Sequence, residues 1–278
     1  ASPETPEMSE LDADGVDEGS DAASSGSAPR VQGSEHEAAL LPAAAAGPRL
    51  PGRPDAGDVR SRLEALGVPA ELLGHSFDDD LAGQGTYAAL TGALARRLPV
   101  APELPAGAGE VLFVVGPGVE TLRAARNLAA TLRLDRDAVQ WATRGELAGL
   151  APKGSRMTTV ETAMDRKQDA ATSGSVTIVA VDAPLRTDSY WMSQMLAIWA
   201  PTAVWVVVEA TRKPEDLGPW LDGLPRVDAL IVTDADLSAD PAAVLGRMTA
   251  PVAILDGVRA TPHRWASLLC ERLEKAEA

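Results

Sequence analysis

An α/β fold, a parallel sheet doubly wound by helices, is predicted by three observations. From residue 110 onward six short apolar runs recur: Val111–Val115, Ala138–Trp141, Val176–Val181, Ala203–Val208, Ala229–Val232 and Val252–Leu255. Most are continuous rather than alternating, as strands covered on both faces should be. Between them lie helix-patterned segments at Val119–Arg133, Thr159–Ala171, Asp188–Trp199, Pro214–Leu221, Pro241–Met248 and Thr261–Lys275. Alternating β and α segments with short links favour a parallel sheet. The third observation is Glu110–Arg133. There an apolar run meets Gly116-Pro117-Gly118 and then a Leu/Ala/Arg helix. Such a strand–turn–helix unit is where α/β proteins commonly seat a phosphate, on backbone N–H groups and a helix N-terminus.

Taken in order, the chain divides into three parts. Residues 1–55 are acidic and rich in Ala, Ser, Gly and Pro, without Trp, Tyr or Phe. A segment so poor in apolar surface cannot offset its ordering entropy, and disorder is predicted. Leu40-Leu41 followed by alanines is a candidate docking helix within an otherwise solvated tail. Residues 56–104 form a small helical part. In it Val59, Leu63 and Leu66 share one face, Asp58 is the expected N-cap and Gly67 follows the helix end. Further helices are expected from Pro69 to Leu73 and from Thr86 to Leu98, with Arg96 and Arg97 suiting the C-terminal dipole. So small a core needs to pack on the rest of the chain. Residues 105–278 make the α/β part, with Gly145–Met157 read as loop.

Charge and cysteine content narrow the function classes. The net charge is −15, and residues 1–50 carry ten acids against only Arg30 and Arg49. A sequence pI near 4.6 argues against unspecific nucleic-acid or anionic-membrane binding. The single cysteine, Cys270, excludes an internal disulfide and fits a reducing compartment. No run reaches the roughly 18 apolar residues of a membrane helix. The first residues also lack a secretory signal pattern, so a cytoplasmic location is expected.

Several phrases, in order, resemble the GTPases of the signal-recognition-particle (SIMIBI) class, with the flagellar FlhF type nearest in look. Leu94-Ala-Arg-Arg-Leu-Pro-Val100, then Glu110-Val-Leu-Phe-Val-Val-Gly-Pro117, is similar to that family's join between a helical N domain and a nucleotide-binding G domain. Ala180-Val-Asp-Ala-Pro-Leu-Arg186 sits where the family has Asp-Thr-Ala-Gly-Arg. Glu209-Ala-Thr-Arg-Lys-Pro-Glu-Asp-Leu217 resembles its Ala-Thr-Lys turn, and Thr233-Asp-Ala-Asp236 its guanine-reading Thr-Lys-Leu-Asp. The resemblance implies an NG fold with a nucleotide site assembled from Gly116, Gly118, Glu120, Thr121, Asp182, Arg186, Thr233 and Asp236.

The departures from that pattern point to a degenerate site. A Walker loop needs a second glycine, a lysine on the β/γ-phosphates and a hydroxyl on Mg²⁺. Aligned with one residue missing, this sequence offers Glu120, Thr121 and Leu122. A carboxylate about 4 Å from a phosphate costs on the order of 4 kcal/mol at an effective dielectric near 20. A helix dipole returns only about 0.3–2 kcal/mol. Pro184 and Leu185 replace the family's Ala-Gly, Asp234 replaces its lysine, and Ala142-Thr143-Arg144 only echoes Asp-Thr-x-Arg. The expectation is a catalytically inactive pseudo-GTPase without a bound cofactor, acting as a protein-binding scaffold, adaptor or localisation factor. The alternative is an atypical, weak GTP/ATP binder using the Gly116–Thr121 amides with Asp182 and Asp236.

Other constellations are poorer in chemistry. His36, His75 and His263 are isolated and no ligand spacing suggests a metal. Cys270 lies on an amphipathic helix and reads as core. Asp78-Asp79-Asp80 reads as a solvated turn. The 188–199 helix has two readings. Trp191, Met192 and Met195 belong either to a fully buried helix or to an aromatic contact surface for a protein partner. In the resembled family this region lies near the surface where two G domains pair, which implies a homodimer or a heterodimer with a related GTPase.

Overall fold

The computed structural model describes residues 56–185, 190–247 and 250–276. The expected acidic tail, with its Leu40-Leu41 candidate helix, and Arg186 lie outside the described residues.

Four helices come first: α1 (Ala56–Ala65), α2 (Ala70–Leu73), α3 (Phe77–Gln84) and α4 (Thr86–Arg97). α3 departs from expectation, and it corrects the reading of Asp78-Asp79-Asp80. These acids form its first turn, where carboxylates suit the helix dipole. Two of them are paired, Asp78 with Arg60 at 3.2 Å and Asp80 with Arg96 at 2.8 Å. Asp58 likewise lies inside α1, in its first turn, because the helix starts three residues earlier than expected.

The remainder alternates β1 (Val111–Gly116), α5 (Gly118–Thr131), β2 (Gln140–Ala142), β3 (Arg156–Met157), α6 (Val160–Ser173), β4 (Thr177–Asp182), α7 (Tyr190–Trp199), β5 (Ala203–Glu209), α8 (Pro214–Asp222), β6 (Ala229–Thr233), α9 (Val244–Arg247), β7 (Val252–Leu255), β8 (Val258–Arg259) and α10 (Pro262–Lys275). The sheet order is β3-β2-β4-β1-β5-β6-β7-β8, parallel except for the β7–β8 hairpin. β3 and β8, two residues each, lie where the sequence predicts loop. The expected Pro241–Met248 helix shrinks to the single turn of α9, after a turn in which the Ala242 N–H donates to the Leu66 carbonyl at 3.0 Å.

Strand side chains alternate between two cores, as the pleat requires. Leu112 and Val114 face α5, packing with Leu122, Ala125 and Leu128. Phe113 and Val115 face the opposite core, which also holds Val59, Leu63, Leu90 and Leu94 of the first helices and Trp265 of α10. The leading helices are thus sealed onto the α/β part through α10 and share its core. Cys270 on α10 is part of this packing, and burial pushes its thiol up to about 11, out of nucleophile range. Among the described residues no helix is long and apolar enough to cross a membrane.

Candidate site at the carboxyl edge of the sheet

In an open parallel sheet, ligands sit beyond the carboxyl ends of the strands where neighbouring connections diverge. Here that point is the end of β1, between β4 and β5. Gly116 is paired in register with Asp182, so the ends of β1 and β4 are side by side.

The link from β1 to α5 is a single residue, Pro117, which has no N–H to offer. Gly118 opens the helix at φ +68°, and its N–H donates to Asp182 Oδ1 at 2.9 Å. The other carboxylate oxygen accepts from Thr143 Oγ1, also at 2.9 Å, at the exit of β2. An internal carboxylate therefore sits at the α5 N-terminus, the position where phosphate-binding α/β folds place their anion. Gly116 is required by close packing: a Cβ there would lie 2.7 Å from Thr121 Oγ1 and 2.9 Å from Val207 Cβ.

The other expected site residues divide between the cleft and the core. Glu120 is at the helix start but not bare, since Arg123 lies 2.9 Å away and reduces the repulsion argued from sequence. Thr121 does not face a ligand at all. It is fully buried under the turn, its hydroxyl without a hydrogen-bond partner, and Leu122 is buried in the α5 core. Both positions that the resemblance assigns to the lysine and the Mg²⁺ hydroxyl are thus packing positions. Thr233 is half-buried beside Asp234, 3.4 Å from its carboxylate, and Asp236 is exposed. Arg272 of α10 fixes this turn by donating to the carbonyls of Ala235, Asp236 and Ser238. Glu209, which ends β5 and pairs with Arg212 at 2.7 Å, adds another acid to this edge. Its place at a strand's carboxyl end is readable from sequence, although there it stands out only as part of the Ala-Thr phrase.

The contact candidates Trp191, Met192 and Met195 are all buried within the chain, Met195 completely. α7 is apolar nearly all round and is covered by α6, β4 and the core that contains β5. Its exposed residues are Tyr190 at its start and the small Ser193 and Ala197. Among the described residues no group of His, Cys, Asp or Glu is placed to hold a metal ion.

Asp256, in the β7–β8 turn, has its carboxyl raised above the ordinary range, mainly by burial, although the Ala235 N–H at 3.1 Å opposes this. A raised carboxyl favours the folded state only while protonated. The contribution is complete below the ordinary pKa and lost as pH rises through the folded value. Asp256→Asn keeps the Oδ1 acceptor and is expected to raise the melting temperature at neutral pH. The gain should vanish in acid, below the ordinary carboxylate range. Melting curves across pH check the sign.

No protein-family model matches the sequence, and no curated protein does either. Solved structures do match. FlhF complexed with GTP/Mg²⁺ aligns at 15% identity and a TM-score of 0.55, covering 78% of this chain and 99% of that one. The signal recognition particle receptor FtsY from Elizabethkingia anophelis aligns at 15% identity and 0.52, over 78% and 94%. Chloroplast FtsY from Physcomitrella patens aligns at 13% and 0.52, over 77% and 87%. The chain therefore has the fold of the signal-recognition-particle-type GTPases, and at these identities the fold is what it shares with them.

Proposed function

We propose that this protein is a pseudo-GTPase that neither holds nor hydrolyses a nucleoside triphosphate and works by binding another protein as a scaffold, adaptor or localisation factor. One observation carries the first half. The β1–α5 link is a lone proline, and the first helical N–H beyond it is already given to Asp182. Phosphate binding at such a turn relies on successive backbone N–H donors, and here the first is missing and the second is taken. Thr121 and Leu122, buried in packing, leave no cation or Mg²⁺ hydroxyl to compensate.

The second half rests on the same edge. Val119 at the start of α5, Tyr190 at the start of α7 and Leu237 after β6 are exposed apolar side chains at the carboxyl ends of the strands, with Leu237 72% exposed. A partner protein, either a second copy or a related GTPase, is the occupant this reading favours, since exposed large apolar groups grouped on one edge mark contact surfaces.

Millimolar GTP or ATP with Mg²⁺ is expected to leave the melting temperature unchanged. A ligand at about a hundred times its Kd adds about 2.7 kcal/mol, so binding would be visible. A nucleotide-dependent rise, or a calorimetric isotherm with GTP, would sink the reading. Leu237→Asp is expected to abolish co-purification of the partner with the full chain while leaving the melting curve in place. Undiminished co-purification would move the contact elsewhere.

A further inference from the structure

Beside the strand edge, between the β4 exit, α7 and α8, lies a half-open cavity of about 690 Å³. That is within the 300–1,000 Å³ usual for small-molecule sites, which are mostly apolar with a few placed polar groups. Its walls include Trp191, Trp220 and Leu224, and its charged groups among the described residues are Arg144, Asp182 and Asp216.

The three charges are not equivalent. Both oxygens of Asp182 are engaged, by the Gly118 N–H and the Thr143 hydroxyl, at the N-terminus of α5. Asp216 lies in the first turn of α8, where the helix dipole offsets a negative charge. Arg144 alone is uncompensated: it is exposed and no acid pairs with it among the described residues. Its guanidinium carbon lies over the Trp191 ring, 5.6 Å from the centroid. Stacking restrains the guanidinium plane and leaves its edge N–H groups able to bind a carboxylate in bidentate fashion.

We propose that this cavity binds a small aromatic monocarboxylate, its ring against the tryptophan-lined wall and its carboxylate on Arg144. The proposal does not depend on the state of the β1–α5 turn. It stands or falls separately from the pseudo-GTPase reading.

Calorimetric titration of the full chain with 2-naphthylacetate and with 2-naphthylacetamide tests it, the pair differing only in the charge offered to Arg144. The acid is expected to bind with a Kd below about 1 mM and about tenfold more tightly than the amide, as a charge-assisted bidentate contact implies. Arg144→Gln should bring the acid down to the amide's affinity and leave the amide where it was. Asp216→Asn should tighten the acid about two- to threefold without affecting the amide, because it removes a like charge partly screened by solvent. Both substituted residues are exposed, and melting curves of each variant report folding directly. Three results would overturn the proposal: no heat from the acid at about ten times the expected Kd, equal binding of acid and amide, or an acid preference that survives Arg144→Gln.

Discussion

Asp182→Ala is expected to lower folding stability by about 3 kcal/mol, because it removes two hydrogen bonds to a charged acceptor, each contributing about 1.5–3 kcal/mol, and water at the half-buried site returns part of that. The carboxylate ties together three neighbouring exits from the sheet. It ends β4, receives the first N–H of the helix after β1, and receives the hydroxyl just past β2. Thr143 is 1% exposed, so its hydroxyl depends on the carboxylate for its partner in the intact chain. Asp182→Asn separates charge from geometry. Its Oδ1 still accepts from Gly118, and its NH₂ is able to donate to the Thr143 oxygen, so the expected cost falls to about 1 kcal/mol. Urea unfolding reads both, as a lower midpoint at constant slope. Equal costs for the two variants would mean that Asp182 does not act as a latch. On the proposed function, neither variant gains affinity for GTP, since Pro117 still lacks a donor and Glu120 remains.

Legibility in the sequence tracks where the physics is local. All six apolar runs are strands within two residues of their expected ends, because strands buried on both faces leave unbroken apolar words. β8 escapes the sequence reading although it has a signal. Asp256-Gly257 between Leu255 and Val258 is a hairpin turn, and both turn residues have positive φ, at +47° and +80°. α3 escapes it because three consecutive aspartates read as solvent-seeking, while in a first helical turn their charge is what the N-terminus attracts. In the site, the turn glycines and Asp182 are marked by sequence, and Gly118 and Asp182 meet in the structure. The burial of Thr121 is not legible. Its position on α5 is a residue from the polar Glu120, and only the helix phase relative to the sheet decides which of the two turns inward. The same holds for α7, where one stripe of Trp and Met serves equally as core or as contact until the covering helices are known.

The largest loss is expected from Gly67→Ala, about 4 kcal/mol, at the joint between the leading helices and the α/β part. Gly67 lies just after α1 at φ +86°, a conformation that costs a residue with a Cβ about 1–2 kcal/mol. The added carbon would also sit 2.4 Å from the Ala243 nitrogen and 2.7 Å from its Cα. Those are backbone atoms, which have no rotamer to swing away, and overpacking of this kind typically adds about 1–3 kcal/mol. Relief by sliding the two segments apart is opposed by the hydrogen bond from the Ala242 N–H to the Leu66 carbonyl, 3.0 Å long and one residue away on each side. Gly83→Ala is the matched control. It lies inside α3 with nothing within 4 Å of the new carbon, so helix propensity alone predicts a gain of up to about 1 kcal/mol. Urea midpoints for the two variants should therefore move in opposite directions. A Gly67→Ala cost below about 1 kcal/mol would show that the joint yields, and the leading helices would then be hinged on the sheet.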